Sequence, residues 1–546
     1  MKRLPLVLSL LLISLPIFAQ HRHQMPANPR PVVLMTGIGE NHHPVSTRNA
    51  EAQRFFDQGL LLIYAFNHDE AVRSFKRAAE FDQNLAMAHW GVALALGPNI
   101  NLDVDPDRER AAYEETQKAM SLLSHASEEE RAYIEALAKR YSIEPQADLK
   151  KLAVDYKNAM GEVMRRYPDD TDAATLYAES AMDLRPWKLW NPDGSAAEGT
   201  DEIIAVLESV LKRNPNHVGA NHYYIHAVEA SPHPERGLTS AGVLRRNITA
   251  AGHLVHMPGH IYMRVGDYAA VADVNEHAAT VDRAYLQSTG VQGIYGAGYY
   301  SHNLHFLVVA YSMMGDYRDA RRAIDQLDAN VAPYMRNLPP LEGFFANKPM
   351  VLVRFRRWDE ILRAPAIYPA TTPTSNAMWH WARGMALAST GQIERARVEL
   401  RLLLGAASHM PADAQWGLNK LSDILEIASN VLNARIASAQ RNYQMAVQFL
   451  QKAVQTEDAL AYDEPPAWYL PSRESLGAVM MLSGQYAEAE KVFREDLIRN
   501  PHSGRSLFGL MQSLKAQNKQ QEAQAAETEF TNAWKRADTQ LKIEEM

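Results

Sequence analysis

SRESLGAVMMLSGQYAEAEKVFREDLIRNP, residues 472–501, is two helical stretches around a glycine turn. The small Gly477 lies within the first stretch and Gly484 ends it; the aromatic Tyr486 opens the second, and Ala489 and Phe493 follow at helical spacing before Asn500-Pro501 stops the chain. The same order recurs in EAQRFFDQGLLLIYAFNHDEAVRSFKRAAEFDQN (51–84) and in SHNLHFLVVAYSMMGDYRDARRAI (301–324). Strand-like alternation is scarce elsewhere, and most helical stretches run about 12–18 residues between Gly, Asn, Asp or Pro turns.

A repeat of this length and order is similar to the tetratricopeptide repeat, a 34-residue helix–turn–helix unit. With the small residue numbered 8, the turn glycine 15 and the alanine 20, units start near Ala52, Ala86, Val218, Gly252, Ser301, Glu342, Ala377, Ile427, Leu470 and Gly504. Gly59, Gly259, Gly384 and Gly477 then share position 8, Gly266, Gly315, Gly391 and Gly484 position 15, and Ala71, Ala320, Ala396, Ala446 and Ala489 position 20. The resemblance implies an all-α fold of stacked helix pairs forming a superhelical solenoid with a concave face. It is weakest between about 100 and 215, where helices are evident but the repeat order is not.

The expected organisation is a signal peptide over 1–19, an irregular leader over 20–48, N-terminal helical repeats over 49–215, central histidine-rich repeats over 216–335, C-terminal repeats over 336–535 and a tail over 536–546. Lys2 and Arg3 followed by the apolar run Leu4–Phe18 and Ala19 are the marks of a secretory signal, too short to span a bilayer. An exported, periplasmic or secreted protein follows, with no transmembrane segment. Were cleavage to follow Gln20, the new terminus His21-Arg22-His23 could chelate copper. A net charge of -8 gives no electrostatic reason to expect nucleic acid as a partner.

The chain has 20 histidines and no cysteine, which excludes disulfides, thiol nucleophiles and Cys-ligated zinc. No P-loop, dinucleotide glycine fingerprint or HExxH motif occurs. Ten of the histidines lie between His217 and His305. His222 and His226 are four apart with Glu229 three further on, His253, His256 and His260 follow at helical spacing if Pro258 only kinks the helix, and His302 and His305 are three apart. In the tetratricopeptide family the groove is lined mainly from positions 2, 5, 9 and 12 of the first helix. His253 and His302 take position 2, His222, His256 and His305 position 5, His226 and His260 position 9, and Glu229 position 12.

Seven imidazoles from three successive helices would thus face one another beside, and not within, the core positions. Neutral imidazoles so presented are ligands for copper, zinc or iron, and two metals with three imidazoles each would use six of the seven. This makes a metal site for storage or catalysis the first reading, with Glu229 as a ligand, a general base or an orienting partner. The second is a non-enzymatic scaffold of the cell envelope, its groove holding a peptide, protein or small molecule. Tyr223, Tyr224, Tyr262, Tyr299 and Tyr300 flank the cluster, and the inserted STGVQGIYGAGYY (288–300) could form a lid or wall. Two further polar and aromatic segments are candidate groove linings: one has His89, Trp90, Asn99 and Asn101, the other Asp463, Glu464, Trp468 and Arg473.

Overall fold

The computed structural model describes residues 30–291, 293, 295–335, 338, 341–365 and 372–546. The expected signal peptide, the first part of the expected leader and the His21-Arg22-His23 stretch lie outside the described residues.

Helix succeeds helix, and the one sheet among the described residues is a two-residue hairpin, Gln415–Trp416 against Asn419–Lys420. Chain-local chemistry sets the helix ends. Asn49 caps Ala50–Tyr64 by accepting from the Glu51 and Ala52 amides, and Ser127 forms a capping box with Glu130 at the start of Glu128–Leu137. At position 15 the first helix of a unit ends in a left-handed residue, as at Gly266 (φ 79°) and Gly315 (φ 74°). Of the units lacking glycine there, four keep the conformation, at Phe66, Arg356, Arg441 and Asn518 (φ 52–62°), and the two with Ile100 and Pro232 do not. The left-handed turn is therefore more regular than the glycine that signals it.

At Gly59 and Gly477 position 8 is glycine because the second helix of the unit packs on it. A Cβ at Gly59 would come within 2.6 Å of the Phe75 ring, and one at Gly477 would meet Phe493 at 2.5 Å. Both phenylalanines occupy position 24 of their units and are fully buried. In the unit starting at Gly252 this position is Asn275, whose amide nitrogen would lie 2.7 Å from a Cβ at Gly259.

The chain divides into two compact units. The described part of the first comprises 31–34 and 41–186 and runs from Ala50–Tyr64 to Thr171–Met182. The second comprises 30, 35–40 and 187–546, so the central and C-terminal repeats share one body.

Within this second unit the stack turns back on itself. Glu474 on Ser472–Leu482 is buried against Arg354, some 120 residues earlier, and against Arg505, whose Nε lies 2.8 Å away. Asp538 accepts from the amides of Tyr317 and Arg318 at 2.8 and 3.1 Å. A Cβ at Gly266 would run into the Pro501 carbonyl. Late repeats thus pack on early ones, which carries residues 462–464 to the histidines. No helix of the described residues is long and apolar enough to cross a membrane.

Candidate metal centre

The helix Val218–Glu229 carries His222, His226 and Glu229, its N-terminus capped by the His217 ring, which accepts from the Ala220 amide. His253 and His256 lie on Gly252–His256, and His260 on Pro258–Val265. Met257 between them keeps helical angles (φ -50°, ψ -37°), so Pro258 breaks a hydrogen bond without turning the face away. A π-helical turn, Tyr295–Tyr300, leads into Ser301–Met314 and delivers His302.

Six of the seven candidate histidines meet in two sets. His222, His226 and His253 form one and His256, His260 and His302 the other; in each, one ligand atom per residue lies within 4.8 Å of the rest. Nε2 of His222 is 3.0 Å from Nε2 of His253, and Nε2 of His256 is 2.6 Å from Nε2 of His260. His305 stands apart. It bonds Asn347 Oδ1 at 3.1 Å and packs edge-on to Phe344 and Tyr469, so one helical turn beyond His302 it faces a different pocket.

Glu229 joins the two sets. Its Oε1 is 2.7 Å from His226 Nδ1 and its Oε2 is 2.6 Å from His260 Nδ1. The Tyr462 hydroxyl donates to the same Oε2 at 2.8 Å, and Glu464 also contacts His260 Nδ1. Burial and the adjacent Glu229 charge push the Glu464 carboxyl well above the usual range. Burial works against the Glu229 charge as well, but His260 and the hydrogen bonds to it outweigh burial and hold this carboxyl well below that range. The two therefore form an acid–carboxylate pair.

The proton inventory of His256 and His260 is closed. Asn275 Nδ2 donates to the Val271 carbonyl at 2.8 Å, which turns Asn275 Oδ1 toward His256 Nδ1 at 2.6 Å. That nitrogen must carry its proton, and so must His260 Nδ1 beside the Glu229 carboxylate. Two neutral rings would then oppose their Nε2 lone pairs at 2.6 Å. A cation has to lie between them, and 2.6 Å has room for a proton. As a proton it belongs to His260: burial opposes its charge, but Glu229 and Glu464 prevail and raise it to about 10. Burial and the neighbouring imidazoles keep His253, His256 and His302 well below the ordinary histidine value, and burial lowers His226 despite Glu229.

The cluster is interior. His222, His256 and His260 are at most 1% exposed, so at these repeats the expected open groove is filled. Tyr299 from the insertion packs edge-on to His253 at 5.0 Å and thus walls the site, as does the Tyr462–Glu464 segment. Of the other flanking tyrosines, Tyr223 packs on His222, Tyr224 donates to Glu208, Tyr262 lies under Arg245 and Tyr300 meets Arg283.

Of the candidate residues in the two polar and aromatic segments, Glu464 reaches the cluster and the others do not. Asp463 accepts from the Leu418 amide, Trp468 packs on Trp381, and Arg473 grips Asp458 with both terminal nitrogens. In the first unit His89 pairs with Glu115, Trp90 is core, and Asn99 accepts from the Asn101 amide.

Sequence reasoning missed Tyr462 and Asn275. Tyr462 carries no local signal, whereas Asn275 does: it is a polar residue at position 24, where Phe75 and Phe493 stand. It also missed a group in the first unit, His43 with Asp170 and Asp172. These carboxylates are already engaged. Asp172 takes His43 Nδ1 at 3.0 Å and the Tyr64 hydroxyl at 2.5 Å, and Asp170 caps Thr171–Met182 and accepts from Tyr133. Burial opposes the His43 charge, yet the Asp172 bond raises it to about 9, so this is an ion pair.

Fold and site together define an all-α, tetratricopeptide-like repeat protein with an interior polyhistidine cluster. No protein-family model and no curated protein matches the chain. Solved structures similar to it include yeast Tom70, at 11% identity over 87% of this chain and 97% of that one with a TM-score of 0.32. Another is the human IFIT1 dimer with m7Gppp-AAAA, at 14% identity, 89% and 90% coverage and a TM-score of 0.33.

Proposed function

We propose that the protein is exported and that its second unit holds a transition-metal centre, copper, zinc or iron, on two sets of three imidazoles. The observation that carries this is the 2.6 Å approach of His256 Nε2 and His260 Nε2 with both Nδ1 protons already committed. A metal–nitrogen bond is about 2.0–2.1 Å, so two nitrogens of a tetrahedral ion stand about 3.3 Å apart and the pair needs to open by well under 1 Å. Outer hydrogen bonds from Glu229 and Asn275 fix which nitrogen faces the metal, which is their usual role around metal-bound histidines. Six neutral nitrogen donors and no sulfur suit borderline ions over magnesium or calcium. Three protein ligands leave a fourth position for water or substrate, the arrangement metal-assisted hydrolysis or oxidation uses. Export rests on the residue pattern over 1–19.

Elemental analysis of protein purified without an affinity tag tests the metal. At least one equivalent per chain is expected, lost in the variant His222→Ala/His256→Ala. Wild-type protein that is metal-free, and stays so after dialysis against micromolar copper(II) or zinc(II), overturns the reading. Fractionation of producing cells tests export.

A further inference from the structure

We infer that the two sets form a single binuclear centre, in which two metal ions share one bridging water-derived oxygen. This rests on the metal reading above. The sets are not separate pockets: the His226 and His260 rings lie 5.5 Å apart and those of His253 and His256 6.0 Å apart, both pairs crossing from one set to the other. Within the sets, neighbouring rings such as His222 and His226, or His256 and His302, stand at 4.8 Å, hardly closer.

The Glu229 carboxylate spans the division, with one oxygen on the Nδ1 of each set at 2.7 and 2.6 Å. It therefore turns the Nε2 atoms of His226 and His260 away from itself, that of His260 onto His256 Nε2. With the His226 and His260 rings 5.5 Å apart across the division, an ion held by each set would be a close neighbour of the other, as in two-metal sites whose ions share one oxygen. Each ion has three imidazoles and one open position, and a single hydroxide fills both. His302, Tyr299, Tyr462 and Glu464 mark the edge of the site nearest solvent, being only partly buried while the other five histidines of the two sets are buried. The class of ligand is thus two transition-metal ions and a small oxygen anion between them.

Stepwise addition of copper(II) salt to the full chain stripped of metal, with bound copper and electron-spin resonance intensity measured on the same samples, tests this. Two equivalents are expected to bind. Intensity per copper should fall at least tenfold as the second enters, because a shared oxygen pairs the two spins. The variant His256→Ala/His302→Ala is expected to bind one equivalent at full intensity. Two bound coppers at full intensity each, or saturation at one in the wild type, overturn the binuclear centre but leave metal binding standing. No bound copper overturns both. Circular dichroism of the variant confirms that it is folded, and His226→Ala/His253→Ala repeats the test from the other set.

Discussion

Replacing Glu474 by Gln removes the one carboxylate that the buried Arg354 and Arg505 share. The three side chains are 3–9% exposed, and Ser503 also donates to Glu474 at 3.2 Å. Glutamine fits the space and can accept one hydrogen bond, but it leaves two guanidinium charges without a counter-charge. Breaking a buried pair from one side costs about 3–5 kcal/mol. For a unit of about 360 residues the unfolding entropy is about 0.8 kcal/mol/K, so the midpoint should fall by about 4–6 °C. Differential scanning calorimetry in excess chelator reads the second unit free of metal linkage. The variant Arg354→Met/Glu474→Met/Arg505→Met, which removes every charge together, is expected to recover most of the loss. A fall below about 1 °C for Glu474→Gln refutes the reasoning: the arginines would then be solvated without Glu474, and the stack would not be held closed there.

Three further outcomes follow from the geometry. Gly259→Ala places a Cβ against the Asn275 amide, so the His256 orientation is lost; metal affinity should drop about 10–100-fold with the helix content unchanged, read by competition with a chromophoric chelator. Metal uptake displaces the proton between His256 and His260, so at least one proton per chain should be released, measured in a weakly buffered solution with a pH indicator. Asp496 is raised from 3.8 to about 7 by burial and by Glu474, so below pH 4 its contribution to stability is complete, and it is lost as pH rises through 7. That amounts to up to about 4 kcal/mol, and Asp496→Asn should flatten the fall in urea midpoint between pH 5 and 8.

The repeat architecture was legible because each unit marks its own turn and close contact with local residues, as Gly484 and Gly477 do. The convergence of six of the seven histidines was legible for the same reason: helical spacing and repeat position together say which side chains share a face. His305 stands outside the two sets because position 5 alone does not show what the neighbouring helix offers, and here it offers Asn347 and Phe344. The filled groove was hidden for a different reason. Tyr462 and Glu464 reach Glu229 and His260 only because late repeats fold back, and nothing in a one-dimensional repeat pattern encodes that contact.

That return of the stack also sets an order of assembly. The histidines of both sets are complete by residue 302, but the tyrosine and carboxyl group that close over them come some 160 residues later. At 5–20 residues per second the six imidazoles wait about 8–32 s during synthesis before that cover exists. A truncated or stalled chain would present them to any available metal without the acid–carboxylate pair beside them. The closed cluster is thus a property of the whole second unit, and its cover is complete only when the last repeats have arrived.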